Sequence, residues 1–264
     1  MDPLSRLETA LESLESAAIA FSGGVDSAFL AAVAKERTSV SVAAVTVVSK
    51  FMSKRDIDHA RHMAHRIGIH HVVVAADLLA LPEIWQNGNN RCYYCKKQIF
   101  SLIKESAAKL DKQCIIHGAN RDDLNDYRPG FKAALEMNVK APLVDAGFDK
   151  EMIRRYSKKM GLETWDIPSQ SCLATRIPYG IRITSENLSM VEQGEAVLQD
   201  LGFDRVRVRC HDMMARLEVD AAALERILQY RLKEKIVKEF KKIGFLHTAL
   251  DLEGYVSGKM NRKV

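Results

Sequence analysis

A five-residue apolar run, residues 17–21, opens directly into Ser22-Gly23-Gly24-Val25-Asp26-Ser27 and then into a helix-period segment, residues 28–36. A buried strand that meets two glycines before a helix can only be a strand–loop–helix unit. The glycines let the backbone turn tightly and bring N–H groups toward an anion, and the helix N-terminus behind them adds the positive end of its dipole. The loop is a phosphate cradle. It is not the Gly-Lys-Ser/Thr type, because no such triplet follows, and it lacks the three spaced glycines of a dinucleotide site.

Further apolar segments, residues 40–48, 71–75 and 114–117, read as strands, and residues 54–67 and 96–110 between them read as helices, after a short N-terminal helix. This alternation predicts an α/β fold with a doubly wound parallel sheet. Gly118-Ala119-Asn120 follows the fourth strand, where open α/β sheets bind ligands, so Gly118 and Asn120 join the loop as candidates. Beyond Gly180 the pattern changes to helix 185–201, strands 206–210 and 215–219, a long helix 221–242 and strand 245–250, a small α+β unit. A chain of 264 residues with 47% hydrophobic content has material for a large core and a smaller one. The expected domains are residues 1–167, which bind the phosphates, and residues 168–264, a linker loop leading into the small unit. Two prolines and a Ser-Gln-Ser run mark the linker at 168–180.

Lys and Arg number 39 against 34 Asp and Glu, and the excess lies at the end, where residues 231–264 carry nine basic and four acidic side chains. Basic helices of this kind are usually a solvated face, and their charge alone implies no nucleic acid. No apolar run approaches the ~20 residues of a membrane helix. Residues 1–12 are polar and acidic rather than a charged-then-apolar leader, so the expectation is a cytoplasmic protein with no membrane partner.

Five cysteines, an odd number without the spacing of a secreted disulfide framework, point to thiol, metal or cluster chemistry. Cys92-Tyr93-Tyr94-Cys95 brings two sulfurs within reach of one centre, in a stretch that reads as loop after Asn87-Gly88-Asn89-Asn90. Arg91 and Lys96 beside the pair suit ligation or redox chemistry. Cys172 lies in a polar loop between Pro168 and Pro178, a place to present a thiol, with Arg176 nearby to bind an anion or favour a thiolate. Cys114 and Cys210 fall within apolar strands and read as core filling. Arg205, Arg207 and Arg209 alternate along one strand and share a face that can grip an anion, with Glu186 or Glu195 on the preceding helix to orient them.

The 22–27 loop resembles the pyrophosphate (PP) loop of the ATP pyrophosphatase superfamily, whose members adenylate a carbonyl or carboxylate oxygen and release pyrophosphate. The resemblance implies that Ser22, Gly23, Gly24, Val25, Asp26 and Ser27 hold the ATP phosphates, that Asp26 meets Mg2+, and that Gly118 and Asn120 lie near the nucleotide. Four further segments follow in order: Arg91-Cys92-Tyr93-Tyr94-Cys95-Lys96, Asp126-Tyr127-Arg128-Pro129-Gly130, Cys172-Leu173-Ala174-Thr175-Arg176-Ile177-Pro178-Tyr179-Gly180 and Leu252-Glu253-Gly254-Tyr255. With them the whole chain resembles the LarE family, ATP-dependent sulfur transferases that build the nickel-pincer cofactor of lactate racemase.

That resemblance implies adenylation of a carboxylate of pyridinium-3,5-biscarboxylic acid mononucleotide, release of pyrophosphate and insertion of sulfur to form a thiocarboxylate. Some members sacrifice the sulfur of a single loop cysteine and keep dehydroalanine; others carry three cysteines that hold a 4Fe-4S cluster. This sequence has the pair as well as the loop cysteine, so Cys92, Cys95 and Cys172 are expected as cluster ligands and catalytic groups. By resemblance Arg207 and Arg209 contact the substrate phosphate, Arg176 lies near the reacting carboxylate, and the chain forms a homo-oligomer, a hexamer being one form. The sulfide donor is not indicated. Two alternatives stay open at this point: a tRNA thiolation enzyme of the same superfamily, and a nucleotide-binding iron-sulfur carrier without turnover. The basic tail suits the first, but nothing resembles a dedicated RNA-binding segment. Pyrophosphate release with a carboxylate substrate separates enzyme from carrier.

Overall fold

The computed structural model describes residues 2–124, 129–168, 171–256 and 259. Asp126, Tyr127 and Arg128, Ser169 and Gln170 of the linker, and the end of the basic tail lie outside the described residues. The chain divides into two compact units, Met1–Leu78 with Asn90–Gln170, and Leu79–Asn89 with Ser171–Val264.

In the first unit α1 (Pro3–Glu12), β1 (Ser16–Ala20), α2 (Val25–Arg37), β2 (Ser41–Val48), α3 (Lys54–Ile67) and β3 (His70–Ala75) alternate. The chain then makes an excursion through α4 (Pro82–Trp85), which belongs to the second unit, and returns as α5 (Arg91–Lys109) and β4 (Cys114–His117). Three helices that hydrophobic periodicity did not reveal follow: α6 (Pro129–Glu136), α7 (Pro142–Asp145) and α8 (Lys150–Lys159). The four strands are all parallel, in the order β3-β2-β1-β4.

Successive strand residues enter opposite cores. Ala17, Ile19, Ala44 and Ile116 pack with Phe29, Met63 and Phe148, whereas Ala18, Val45, Val47 and Ile115 pack with Phe100, Ile103 and Ala134. A sheet covered on both faces explains why its strands read as unbroken apolar runs. Because β2 and β3 lie on one side of β1 and β4 on the other, the strand order reverses between β1 and β4. The crevice at the C-terminal ends of those two strands is where such sheets take ligands.

His117 ends β4, edge-on to Phe100 at 5.8 Å between ring centres, with Nε2 buried and without a hydrogen-bond partner. Burial, then the charge of Lys96, lowers its pKa from the ordinary value of 6.5 to about 4. Between those values the unfolded chain binds a proton that the native ring refuses, so stability falls as pH drops through the window, by about 1.4 kcal/mol per pH unit. Urea titrations from pH 7 to 4 are expected to show a component of that slope lost in His117→Phe; parallel curves for the two proteins would refute it.

In the second unit α9 (Ser185–Asp200) is started by a reciprocal cap between Thr184 and Asn187. It packs on a three-stranded sheet of order β5-β6-β7, with β5 (Val206–His211) antiparallel to β6 (Met214–Val219) and β7 (His247–Leu250) parallel to it. The expected long helix over 221–242 is in fact broken into a 3-10 turn (Ala221–Ala223), α10 (Leu224–Ile227) and α11 (Tyr230–Ile243). The cause is Arg226, which donates to the carbonyls of Leu201 and Gly202 and lies over the Phe203 ring. Those contacts hold α10 at the end of α9, and the chain turns extended at Gln229 before α11 begins. Among the described residues no helix is long and apolar enough to cross a membrane.

Candidate functional site

The loop after β1 is tied by its own serines. Ser27 Oγ accepts from the Ser22 amide at 3.2 Å, lies 3.1 Å from Ser22 Oγ and donates to the Gly24 carbonyl at 3.1 Å. Gly24 occupies the N-cap of α2, which therefore starts without a side-chain cap on its first amides. Gly23 has φ +76°, and a Cβ there would stand 2.6 Å from Ala60 Cα in α3. Gly118, just past β4, comes equally close: its Cβ would lie 2.9 Å from the Ser27 amide and 3.0 Å from the Asp26 carbonyl carbon. Gly23 thus lets the loop pass against α3, and Gly118 lets the end of β4 meet the loop at the switch point of the sheet.

Asp26, in the first turn of α2, accepts from Asn120 Nδ2 at 3.3 Å and from Lys150 Nζ at 2.5 Å. Asn120 is buried, and its own loop is pinned by Asp122 and Asp123. Lys150 is the first residue of α8, whose amide donates to Asp122 Oδ2. Sequence reasoning named Asp26 and Asn120 but missed Lys150, which supplies a cation beside the phosphate loop from 124 residues away.

Cys92 and Cys95 do not lie in a loop, as the asparagine-rich stretch before them suggested. They occupy the first turns of α5, because the carbonyl of Asn90 already accepts from the amides of Tyr93 and Tyr94 and so begins the helix. At i, i+3 on one helix face their Cβ atoms are about 5–6 Å apart. Arg91 is buried and donates from Nη2 to Cys92 Sγ at 3.7 Å. Cys114 and Cys210 behave as core thiols: burial pushes the first up and the second to about 11.

Cys172 is exposed and sits at the N-cap of a 3-10 turn, Leu173–Arg176, in the second unit. Arg176 lies under that turn, 2% exposed. Its Nη1 donates to the carbonyls of Ser171 and Cys172 and to the hydroxyls of Ser171 and Thr175, at 2.6–3.0 Å. Its Nε and Nη2 reach both oxygens of Glu195 at 2.8 and 3.0 Å. Glu195 Oε1 also accepts the Val208 amide on the edge of β5. The carboxylate that orients the arginine is thus Glu195. With its donors committed in this way, the Arg176 guanidinium acts on the turn that carries Cys172.

Arg209 holds the same turn from the sheet, donating to the Thr175 carbonyl at 2.7 Å while both oxygens of the fully buried Glu218 take its other nitrogens at 2.9–3.0 Å. Arg216 adds a third donor to Glu218 and reaches Asp251, which Lys259 pairs at 2.6 Å. Glu218 was missed by sequence reasoning; two strands placed in register would have put it across from Arg207. Arg207 is buried against the Tyr255 ring, 5.1 Å away, and burial followed by the neighbouring Arg176 charge lowers its pKa. Arg205 precedes β5 and is exposed.

Residues 7–87, which include the glycine loop, match a family model for asparagine synthase. The chain is 32% identical over 256 residues to the pyridinium-3,5-bisthiocarboxylic acid mononucleotide synthase of Lactiplantibacillus plantarum, covering 97% of this chain and 92% of that one. The chain belongs to the LarE family. Two uncharacterized proteins are similar over comparable spans, one from Synechocystis sp. at 39% identity (98% and 97% covered) and one from Methanocaldococcus jannaschii at 30% (90% of each). As a LarE protein the chain is an ATP-dependent sulfurtransferase of the adenylating kind. The LarE segments around Cys172 and Leu252-Glu253-Gly254-Tyr255 both fall in the second unit, where Gly254 (φ +66°) would drive a Cβ to 2.6 Å from the Val219 carbonyl.

Proposed function

We propose that this LarE protein adenylates a carboxylate of pyridinium-3,5-biscarboxylic acid mononucleotide and converts it to the thiocarboxylate precursor of the nickel-pincer cofactor of lactate racemase. The observation that carries this reading is the end-to-end similarity to the L. plantarum synthase together with an exposed Cys172 on a doubly anchored turn. The substrate carboxylate attacks the α-phosphorus of ATP, the α–β bridge breaks and pyrophosphate leaves. Sulfur then attacks the acyl carbon and AMP departs with the electrons of the C–O bond. The cradle of residues 22–27, with Gly118 and Asn120, suits the pyrophosphate end, and Asp26 is a fitting ligand for Mg2+. Arg207 and Arg209, on one face of β5, are further proposed to serve the substrate phosphate: an anion beside Arg207 would offset the burial of its charge, and Arg209, whose nitrogens go to Glu218 and the Thr175 carbonyl, would add positive charge to the same face.

Among the described residues no group of three or more His, Cys, Asp or Glu side chains is placed to hold a metal ion. The donor chemistry nevertheless suits a 4Fe-4S cluster, with two thiols one helical turn apart and an arginine donating to one of their sulfurs. We assign Cys92, Cys95 and Cys172 as its ligands; three thiolates on such a cluster leave one iron position that protein does not occupy, where a sulfide can be held. The protein is further proposed to act in the cytoplasm as a homo-oligomer, a hexamer being one form.

The test is pyrophosphate release from ATP and Mg2+ with and without the mononucleotide, alongside iron and acid-labile sulfide in anaerobically purified protein. Mononucleotide-dependent release is expected, with iron lost in Cys92→Ala, Cys95→Ala and Cys172→Ala. Release that ignores the mononucleotide would overturn the substrate assignment, and iron that survives all three substitutions would overturn the ligand set. Lys150→Ala removes a charged hydrogen bond worth about 1.5–3 kcal/mol from the cradle. Its KM for ATP is expected to rise about tenfold or more with the arginine variant partly restored; an unchanged KM would remove Lys150 from the site.

A further inference from the structure

Asn87 is fully buried, although it belongs to a polar tetrapeptide that reads as loop, and it holds φ +57°, a backbone region that asparagine tolerates better than other non-glycine residues. Its Nδ2 lies 2.7 Å from the Pro178 carbonyl, 2.9 Å from that of Ile181 and 3.3 Å from that of Ile177. An amide nitrogen carries two hydrogens, so the two shorter contacts are the full hydrogen bonds and the third shares one of them. The backbone joins in: the Gly180 amide donates to the Asn87 carbonyl at 3.0 Å, the Ile183 amide donates to the Trp85 carbonyl at 2.8 Å, and Arg182 covers the Trp85 ring at 4.3 Å. Excursion Leu79–Asn89 is therefore knitted onto residues 177–183, and Ile84 buries its side chain within the same unit.

Residues 177–181 follow directly on the turn that presents Cys172, and the Ile177 amide still donates into that turn, to the Ala174 carbonyl. Arg176 and Arg209 hold the turn itself; Asn87 holds what leaves it. A thiol that holds the sulfur carrier within reach of an acyl carbon depends on such anchors, since a displacement of about 1 Å at the reacting atoms costs on the order of a hundredfold in rate. We propose that Asn87 is a positioning residue for sulfur transfer, clamping residues 177–181 so that Cys172 is presented in one place. The proposal rests on the reading of Cys172 as the group through which sulfur passes. It separates Asn87 from the ATP chemistry, which belongs to the first unit.

Two variants test it in the full-length chain. Asn87→Gly keeps the left-handed backbone and removes the donor; Asn87→Asp keeps shape and backbone and aims oxygens at three carbonyls. In reduced, chelator-treated protein, the rate of Cys172 alkylation by iodoacetamide is read by peptide mass spectrometry, with buried Cys210 as the internal control. Expected in both variants are a Cys172 rate at least about threefold from wild type, a thiocarboxylate yield per minute at least about tenfold lower and pyrophosphate release within about twofold, with Cys210 still protected. An unchanged Cys172 rate and product yield would overturn the proposal. So would loss of pyrophosphate release and Cys210 protection in step with the product, because Asn87 would then serve the fold as a whole. A wild-type protein that makes no thiocarboxylate would count against the proposed function, and the alkylation rates would still decide the role of Asn87.

Discussion

Cys172→Ala is expected to make no thiocarboxylate and to release pyrophosphate, in response to the mononucleotide, at a rate within about twofold of wild type. The two halves of the reaction use different residues. Adenylation is proposed to use the cradle at the end of β1, where Ser22 is tied to Ser27, Asn120 to Asp26, and Gly118 lies against Asp26 and Ser27, without any cysteine. Sulfur insertion needs a nucleophile or its holder, and Cys172 is the exposed thiol on a turn whose neighbours are anchored by Arg176 and Arg209. The substitution leaves those anchors in place, because they grip the Ser171, Cys172 and Thr175 carbonyls and two hydroxyls rather than the sulfur. A single-turnover assay that follows pyrophosphate and product separately checks it. Cys114→Ala and Cys210→Ala, which lie within β4 and β5, should retain product formation, and product from Cys172→Ala would sink both the cluster and the sacrificial routes.

Arg176→Ala is expected to lower the melting temperature by roughly 10 °C, at about 2–4 °C per kcal/mol for a chain of this size. Glu195 is buried, and with the guanidinium gone its charge loses both of its close donors and is left with the Val208 amide and the more distant charge of Arg207. Removing one partner of a buried pair costs about 3–5 kcal/mol, whereas exchanging both for apolar side chains is often nearly neutral. Arg176→Met with Glu195→Leu should therefore recover most of the stability. It should not recover sulfur transfer, because the four contacts from Nη1 to the Cys172 turn are still missing. Calorimetry and product assays on the two proteins distinguish these outcomes. Recovery of both properties together would show that Arg176 serves stability alone.

The parallel sheet was legible because strands covered on both faces leave continuous apolar runs, and α3 falls where helical periodicity puts it, Lys54–Ile67. The glycine loop was legible for a related reason: close approach and positive φ demand residues that are rare elsewhere. The cysteine pair was misplaced because Asn87-Gly88-Asn89-Asn90 carries every mark of a solvent loop. What overrides that mark is burial of Asn87 against carbonyls 90–94 residues away and burial of Arg91 at the start of α5. The broken helix after residue 220 has the same origin, since Arg226 finds carbonyls on α9 that no local pattern announces.

Sequence by itself determined the alternating fold of the first unit, the strand–glycine loop–helix unit at residues 17–36 and the family, because each is carried by residue types in local segments. Only the tertiary structure decided which charges belong together: Lys150 with Asp26, Glu195 with Arg176, Glu218 with Arg209, and Asn87 with the strand of chain beyond Cys172. Local propensity is carried by neighbours a few residues apart, whereas the partner of a buried polar group is whichever group the packed chain brings within about 3 Å.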